Sequence, residues 1–250
     1  MLDVCVVVVT LNHKDFVGTC VESIMTSLFP GTLALFAVDD GFVDGTKEFL
    51  KIYAPKLTLI SREGNHSYAN NCNTVLKCVE AKYYLVLNPD TVLPEMAVAA
   101  LYDFMESHPQ AGACGPKLIY PDGTLQLSCR RFPDLSSFLL RRTPIRNVLP
   151  ERLRSKRHLM ADWDHCSINQ VDWVLGACLM LRGEALKQVG YFDEQFRLYC
   201  EDIDLCYRLW KNGWSVYYNP EIVVIHDHQA KSDRSLLSWY SFYHYQRMLY

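Results

Sequence analysis

With 250 residues, half of them hydrophobic, the chain is long enough for one large domain or two small ones. A net charge of -3 and a pI of about 6.2 exclude a general polyanion binder, nucleic acid included, although a local basic patch is compatible with them. The apolar run at residues 4–9 follows Asp3 and no Lys or Arg, so it is not a signal peptide. No stretch approaches the roughly 20 apolar residues of a membrane span, so a soluble or peripheral protein is expected.

Read in chain order, the first half alternates strand-like and helix-like segments. Residues 4–9 are a β-branched run, and residues 16–28 place Val17, Cys20, Val21, Ile24 and Leu28 at helical spacing. Further strands are expected at 33–38, 57–60 and 83–87, and helices at 46–53, 68–81 and 95–107. Such alternation predicts an α/β fold with a mostly parallel central sheet flanked by helices. No internal repeat is visible. In the second half Pro121-Asp122-Gly123 is a turn signal, and residues 141–157 form an irregular basic segment. Residues 171–181 read as one long strand, and residues 201–212 as a helix with Leu205, Leu209 and Trp210 inward, stopped by Gly213. Short strands follow at 216–218 and 222–225. From Ser235 the pattern is aromatic and helical, and the chain ends inside it, so a further C-terminal element is expected. The ten cysteines show no CxxC pair; Cys5, Cys20, Cys114 and Cys178 lie in apolar runs and read as small buried hydrophobes of a reducing cytoplasm rather than a disulfide framework.

Two acidic sites directly follow predicted strands: Asp39-Asp40-Gly41 and Asn88-Pro89-Asp90. In open α/β sheets ligands bind outside the carboxyl ends of the strands, so Asp39 and Asp90 read as ligand-facing. Asp44, ahead of Gly45-Thr46, reads as a turn or cap residue. A third group, Glu201-Asp202-Ile203-Asp204, opens a predicted helix. The helix dipole favours acids there, but Asp202 and Asp204 cannot both serve one cap. His226-Asp227-His228 follows a strand, where a histidine is either structural or a metal ligand.

Several longer segments then fall in a telling order. Val7-Val8-Val9-Thr10-Leu11-Asn12 comes first, then Asp39-Asp40-Gly41-Phe42-Val43-Asp44-Gly45-Thr46, the asparagine-containing stretch from Asn65 to Asn73, and Leu87-Asn88-Pro89-Asp90-Thr91. Gly115-Pro116-Lys117, Tyr120-Pro121-Asp122-Gly123-Thr124 and Arg130-Arg131-Phe132-Pro133 continue the series. Val171-Asp172-Trp173-Val174-Leu175-Gly176-Ala177-Cys178, Gly190-Tyr191-Phe192-Asp193-Glu194, the run from Tyr199 to Cys206, and Val224-Ile225-His226 complete it. Each piece alone is weak. Together, over essentially the whole chain, they resemble an inverting glycosyltransferase of family 2 with the GT-A fold, nearest to the rhamnosyltransferase-type enzymes of bacterial surface polysaccharides. Phe42 stands where that family usually has a small hydroxyl residue, and Ser67 and Val75 where it usually has glycine.

The resemblance implies a single GT-A domain over residues 1–250, with a nucleotide-sugar-binding half (1–115) and an acceptor-binding half (116–250). It implies a nucleoside-diphosphate sugar donor, dTDP-rhamnose before the UDP-linked hexoses, and a saccharide or lipid-linked acceptor. Thr10, Asn12 and Asp39 would hold base and ribose, with Asn73 and Asn88 also on the donor side. Asp90 would ligate Mg2+ or Mn2+, with His226 as a second ligand. Asp202 would be the general base, beside Glu201. Gly176 and Trp173 would lie on the acceptor side, Trp173 either as a platform for a sugar or as a core residue. Between Arg141 and Arg157 seven basic residues face one acid, Glu151. That segment is either a solvated loop or a contact with anionic lipid, which would place the protein at the inner face of the plasma membrane. Two alternatives share parts of the pattern. A nucleotidyltransferase would carry a Gly-rich phosphate loop where this chain has Thr10-Leu11-Asn12-His13; a catalytically silent nucleotide-sugar-binding module would need neither Asp90 nor Asp202.

Overall fold

The computed structural model describes residues 1–41, 44–64, 66–132, 159–196 and 199–227. Phe42, Asn65, Pro133, the basic segment from Arg141 to Arg157, His228 and the aromatic stretch from Ser235 lie outside them. The first elements are β1 (Leu2–Thr10), α1 (Lys14–Met25), β2 (Leu33–Asp40), α2 (Thr46–Leu50), β3 (Leu57–Arg62), α3 (Tyr68–Leu76), β4 (Ala81–Leu87), β5 (Thr91–Val92) and α4 (Ala97–Ser107). There follow β6 (Ala111–Ile119), β7 (Leu125–Gln126), β8 (Cys129–Arg130), β9 (Asn169–Gln170), β10 (Trp173–Val174), β11 (Cys178–Arg182), α5 (Gly183–Val189), α6 (Glu201–Lys211) and β12 (Ser215–His226).

β1 explains the layers. It is apolar from Val4 to Val9, which suits a strand covered on both faces. Its pleat sends Val4, Val6 and Val8 into one core and Cys5, Val7 and Val9 into the other. The first core is closed by Val17, Val21 and Ile24 of α1 and Leu101, Phe104 and Met105 of α4. The second is closed by Cys72, Val75 and Leu76 of α3, Leu186 of α5, and Leu205 and Leu209 of α6.

The main sheet runs β3-β2-β1-β4-β11-β6-β12-β5. The expected parallel pairing holds for β3, β2, β1 and β4, and again between β6 and β12. Antiparallel β11 sits between β4 and β6, and β12 also pairs antiparallel with β5, so the sheet is mixed. The boundary expected at residues 115 and 116 falls inside β6, and both halves share this one sheet.

Three local expectations change. The single strand expected at 171–181 breaks into β10 and β11, because the backbone between them makes other bonds: Leu175 N–H donates to Ser128 O, Gly176 N–H to Asp202, and Ala177 O accepts from Asn88 N–H. The two strands expected at 216–218 and 222–225 are one strand, β12, with a register shift between Asn219 and Val223. β6 itself was not anticipated, since Ala111-Gly112-Ala113-Cys114-Gly115-Pro116 holds no β-branched residue. Its glycines are packing sites: a Cβ at Gly112 would lie 2.8 Å from Leu209 and Trp214. All ten cysteines are free and eight are buried, as small hydrophobes would be. Among the described residues no helix is long and apolar enough to cross a membrane.

Candidate active site

The carboxyl ends of the parallel strands carry the expected polar residues. Thr10 ends β1 opposite Asp39 of β2, and Asp40 lies opposite Arg62 at the end of β3. Gly41 follows at φ 79, a left-handed turn that suits glycine and ends the strand beside the acids. Asn12, also in the left-handed region at φ 55, is exposed just beyond β1. Thr10 Oγ1 and Asp39 Oδ1 are buried and have no hydrogen-bond partner among the described residues. Buried polar atoms left so are rare in folded proteins, and at this edge they fit groups waiting for a ligand.

Burial pushes the Asp39 carboxyl up from 3.8 to about 7, with Lys47 pulling the other way. The neutral form is thus favoured in the folded, donor-free protein. Its stabilising contribution is full below 3.8 and is lost as pH rises through about 7. Replacing Asp39 with Asn should therefore flatten the decline of stability across that window, read as the urea midpoint against pH. Asp40, which sequence reasoning did not single out, takes a different role. Its Oδ2 accepts the His66 backbone N–H at 2.7 Å and its Oδ1 lies 2.5 Å from His66 Nδ1, fixing the chain after β3. Asp44 is the turn residue expected: its Oδ1 accepts the Thr46 N–H at 3.0 Å and the Thr46 hydroxyl at 2.7 Å.

Asn88-Pro89-Asp90 turns from β4 into β5. Asn88 O accepts the Thr91 hydroxyl at 2.8 Å, and Asp90 O accepts the Asp227 N–H at 2.9 Å. Because Thr91 pairs with His226, the Asp90 carboxylate meets the end of β12: Asp90 Oδ1 lies 3.3 Å from His226 Nε2. His226 is buried, and its Nδ1 faces Gln126 Oε1 at 2.7 Å. A carboxamide oxygen only accepts, so Nδ1 carries a proton, and Nε2 is the ring nitrogen that faces Asp90 and would be free to ligate an ion held there. A ligating histidine is oriented this way, and two oxygen- or nitrogen-bearing ligands of one cation approach to about this separation. The pair fits a divalent ion. Among the described residues no group of three or more His, Cys, Asp or Glu side chains converges, so further ligands would come from donor or water.

Glu201 and Asp202 open α6. Cys200, the N-cap, makes no side-chain cap bond, and of the acids in the first turn Asp202 accepts one of its N–H groups. Asp202 Oδ1 accepts the Ile203 N–H at 2.9 Å, and its Oδ2 reaches across to the Gly176 N–H at 3.1 Å. A Cβ at Gly176 would sit 3.5 Å from the Asp202 Cβ, ordinary contact distance. Since Ala177 O holds the Asn88 N–H at 2.9 Å, adjacent residues anchor the Asn88–Asp90 turn and Asp202. Burial pushes the Asp202 carboxyl up; the Gly176 and Ile203 N–H groups and the Arg130 charge pull it down. Glu201 is pushed up to about 8 by burial and then by Asp202, and its Oε2 is buried without a hydrogen-bond partner among the described residues. Burial raises both carboxyls, and the Gly176 and Ile203 N–H groups and the Arg130 charge oppose it at Asp202, which favours the proton on Glu201 and the charge on Asp202. Tyr199 and Cys200 just before them take φ 67 and 72. Neither is glycine, so each costs of order 1–3 kcal/mol that surrounding contacts must hold, a pattern concentrated at active sites.

Two expected site residues do something else. Trp173 is 3% exposed, donates Nε1–H to Arg131 O at 3.1 Å, and lies beneath the Arg130 guanidinium at 5.2 Å. Its faces are covered, so it is a core residue and not a sugar platform. Trp173→Ala should cost about 3–5 kcal/mol of stability in urea titration, with sugar affinity of the remaining folded protein unchanged. Asn73 is buried, with its amide bonded to Phe192 and Glu194. Asp204 pairs with Arg208 at 2.6 Å. Arg130 belongs to a segment that the sequence resemblance includes, but the resemblance gives it no role; its charge reaches Asp202, and β8, which carries it, pairs with β10.

A mixed sheet with acids at the carboxyl edge of its parallel strands, a carboxylate–histidine pair, and the adjacent carboxyls of buried Glu201 and half-buried Asp202 are the arrangement expected of a glycosyltransferase of the GT-A class. The chain belongs to glycosyl transferase family 2, whose family model matches residues 5–174. It is 31% identical over 233 residues to N-acetylglucosaminyl-diphospho-decaprenol L-rhamnosyltransferase of Mycobacterium tuberculosis, covering 86% of this chain and 74% of that one. It is 26% identical over 233 residues to the rhamnosyltransferase WbbL of Escherichia coli, covering 89% and 83%. Its fold is similar to a mannosyltransferase of Pyrobaculum calidifontis solved with GDP-Man and Mn2+, at TM-score 0.63 and 18% identity. The likeness covers 92% of this chain but only 60% of that one.

Proposed function

We propose that the chain transfers L-rhamnose from dTDP-rhamnose to a hydroxyl of a glycan or lipid-linked saccharide, with inversion, in the assembly of a surface polysaccharide. The observation that carries the transferase chemistry is Asp202, a carboxylate whose two oxygens are fixed by the Gly176 and Ile203 N–H groups one residue from the anchor of the Asn88–Asp90 turn. The assignment of rhamnose rests on the two relatives, both named as rhamnosyltransferases. The lipid-linked acceptor rests on the mycobacterial relative's name, which specifies a diphospho-decaprenol. Such an acceptor implies work at a membrane surface, the setting in which the residues from Arg141 to Arg157 would matter.

Asp90 and His226 would hold Mg2+ or Mn2+, and the imidazole ligand leans the choice toward Mn2+. When bound, the ion would neutralise charge on the leaving diphosphate. Thr10 and Asp39 hold the nucleotide, since a protonated or hydrogen-bonded Asp39 carboxyl and a buried hydroxyl offer the paired polar groups a base edge needs. Asn12 and Asn88 flank the donor at the same edge. Asp202 takes the proton of the attacking acceptor hydroxyl. Glu201, neutral beside it, avoids a second buried negative charge and leaves Asp202 as the carboxylate. One displacement opposite the leaving group inverts the anomeric carbon and needs no covalent intermediate.

The direct test is a donor screen by thermal shift with Mn2+ present. A bound donor stabilises by mass action, about 2.7 kcal/mol at a hundredfold excess over Kd. dTDP-rhamnose is expected to give the largest rise in Tm; the absence of a shift with every nucleotide sugar would defeat the reading.

A further inference from the structure

Outside the donor edge, buried polar contacts concentrate at the junction of α3 with residues 189–194. Asn73, 2% exposed, treats Phe192 as a strand neighbour would. Its Oδ1 accepts the Phe192 N–H at 3.2 Å while its Nδ2 donates to Phe192 O and to Glu194 Oε1, both at 2.8 Å. Glu194 also accepts from Lys77 Nζ at 2.7 Å and from the Asn70 amide. Lys77 first, then Asn73, hold the Glu194 carboxyl down at about 2, so it is ionised throughout the working range. Asn70 in turn accepts from Arg62 Nη1 at 2.7 Å, which ties this cluster to the end of β3 on the donor side.

The same short segment is gripped from the opposite side by α6. Arg208, paired with Asp204, donates to the carbonyls of Val189 at 2.8 Å, Gly190 at 3.1 Å and Tyr191 at 2.9 Å. Residues 189–194 are therefore held between two helices by charge-assisted bonds. A few residues later come the left-handed Tyr199 and Cys200, and then Glu201 and Asp202. A strained entry of this kind persists only where its flanks are over-determined. The clamp on 189–194 supplies one flank, and the Asp202–Gly176 bond the other.

We propose that Asn73 and Glu194 are positioning residues for the general base: by fastening residues 192–194 to α3 they hold the entry to α6, and with it the half-buried Asp202 carboxylate, in place. The proposal rests on the transferase reading above. A purely structural role for the clamp would lower the amount of folded protein and leave the base in its place.

Asn73→Asp separates the two. The change is isosteric, but it removes both donated bonds and sets a second carboxylate against Glu194. Circular dichroism and a thermal melt first establish the folded fraction. In that fraction kcat should fall about 10²-fold, the loss typical of a misplaced catalytic group, with donor KM unchanged. The acid limb of the kcat–pH profile should move to lower pH, because a re-solvated Asp202 loses the burial that raises it. Adding Glu194→Gln sets an amide donor against the introduced carboxylate and should recover most of the loss. Hydrogen exchange of the donor-free protein should show faster exchange at the amide of Phe192 and at residues 199–203 in Asn73→Asp. An unmoved acid limb together with unchanged exchange at 199–203 overturns the proposal. If the wild-type chain transfers no sugar at all, the transferase reading fails, and the exchange result still decides whether the clamp orders the segment that carries Asp202.

Discussion

Replacing Asp202 with Asn is expected to lower transfer by about 10²–10⁴-fold, the contribution of a positioned general base, while donor affinity stays within experimental error. Asparagine matches the carboxylate in shape and can keep accepting the Gly176 or Ile203 N–H with its oxygen, so the fold around α6 should survive. What it cannot do is accept a proton. Replacing Glu201 with Gln makes the informative contrast. Burial raises Glu201 to about 8, which favours its neutral form at pH 7, so a neutral isostere should cost less than about tenfold, or about 1.4 kcal/mol of barrier. The two carboxyls are adjacent in sequence, and only their environments separate them. A severe Glu201→Gln with a mild Asp202→Asn would exchange their roles.

The second large effect is expected at the Asp90–His226 pair. Asp90→Asn should reduce metal-supported transfer by about 10²–10³-fold, the range for losing one group that stabilises charge developing on the leaving side. It should also weaken Mn2+ binding, which can be read without any turnover by titrating free Mn2+ in electron paramagnetic resonance. Gln126→Leu acts through His226 alone, since Gln126 Oε1 holds Nδ1 at 2.7 Å. Loss of such an outer partner typically costs 10–100-fold in metal affinity or activity, so this variant should fall about 10–100-fold short of wild type in the same titration. Undiminished Mn2+ binding in both variants would remove this pair from the metal site.

The N-terminal half of the sheet was legible in the sequence for a physical reason. Strands buried on both faces are written as short apolar runs, and the polar residues that interrupt them at Asp39 and Asn88 stand out against that background. The C-terminal half was harder to read. β6 is built from alanine, glycine and proline because Leu209, Trp214 and Val174 crowd against it, and that packing leaves no β-branched signature. The apolar run at 171–181 hid the break at Gly176, which exists only because Asp202 and Asn88, distant in sequence, draw its backbone groups away. Trp173 and Asn73 show the same limit from the other direction. Each is a residue type that binding sites use, and each is occupied instead by a partner 40 or more residues away: Trp173 by the Arg131 carbonyl, Asn73 by Phe192 and Glu194. Gln126 carries no motif of its own, and the Arg130 segment no assigned role; the fold places them beside His226 and Trp173.

A single displacement at the anomeric carbon, with Asp202 as base, is the central claim. Proton NMR of the first product formed from a donor of known anomeric configuration tests it most directly. Inverted configuration in the product of the wild-type chain, and loss of that product in Asp202→Asn, is the predicted result. Retained configuration, or undiminished formation of the product by Asp202→Asn, would contradict it.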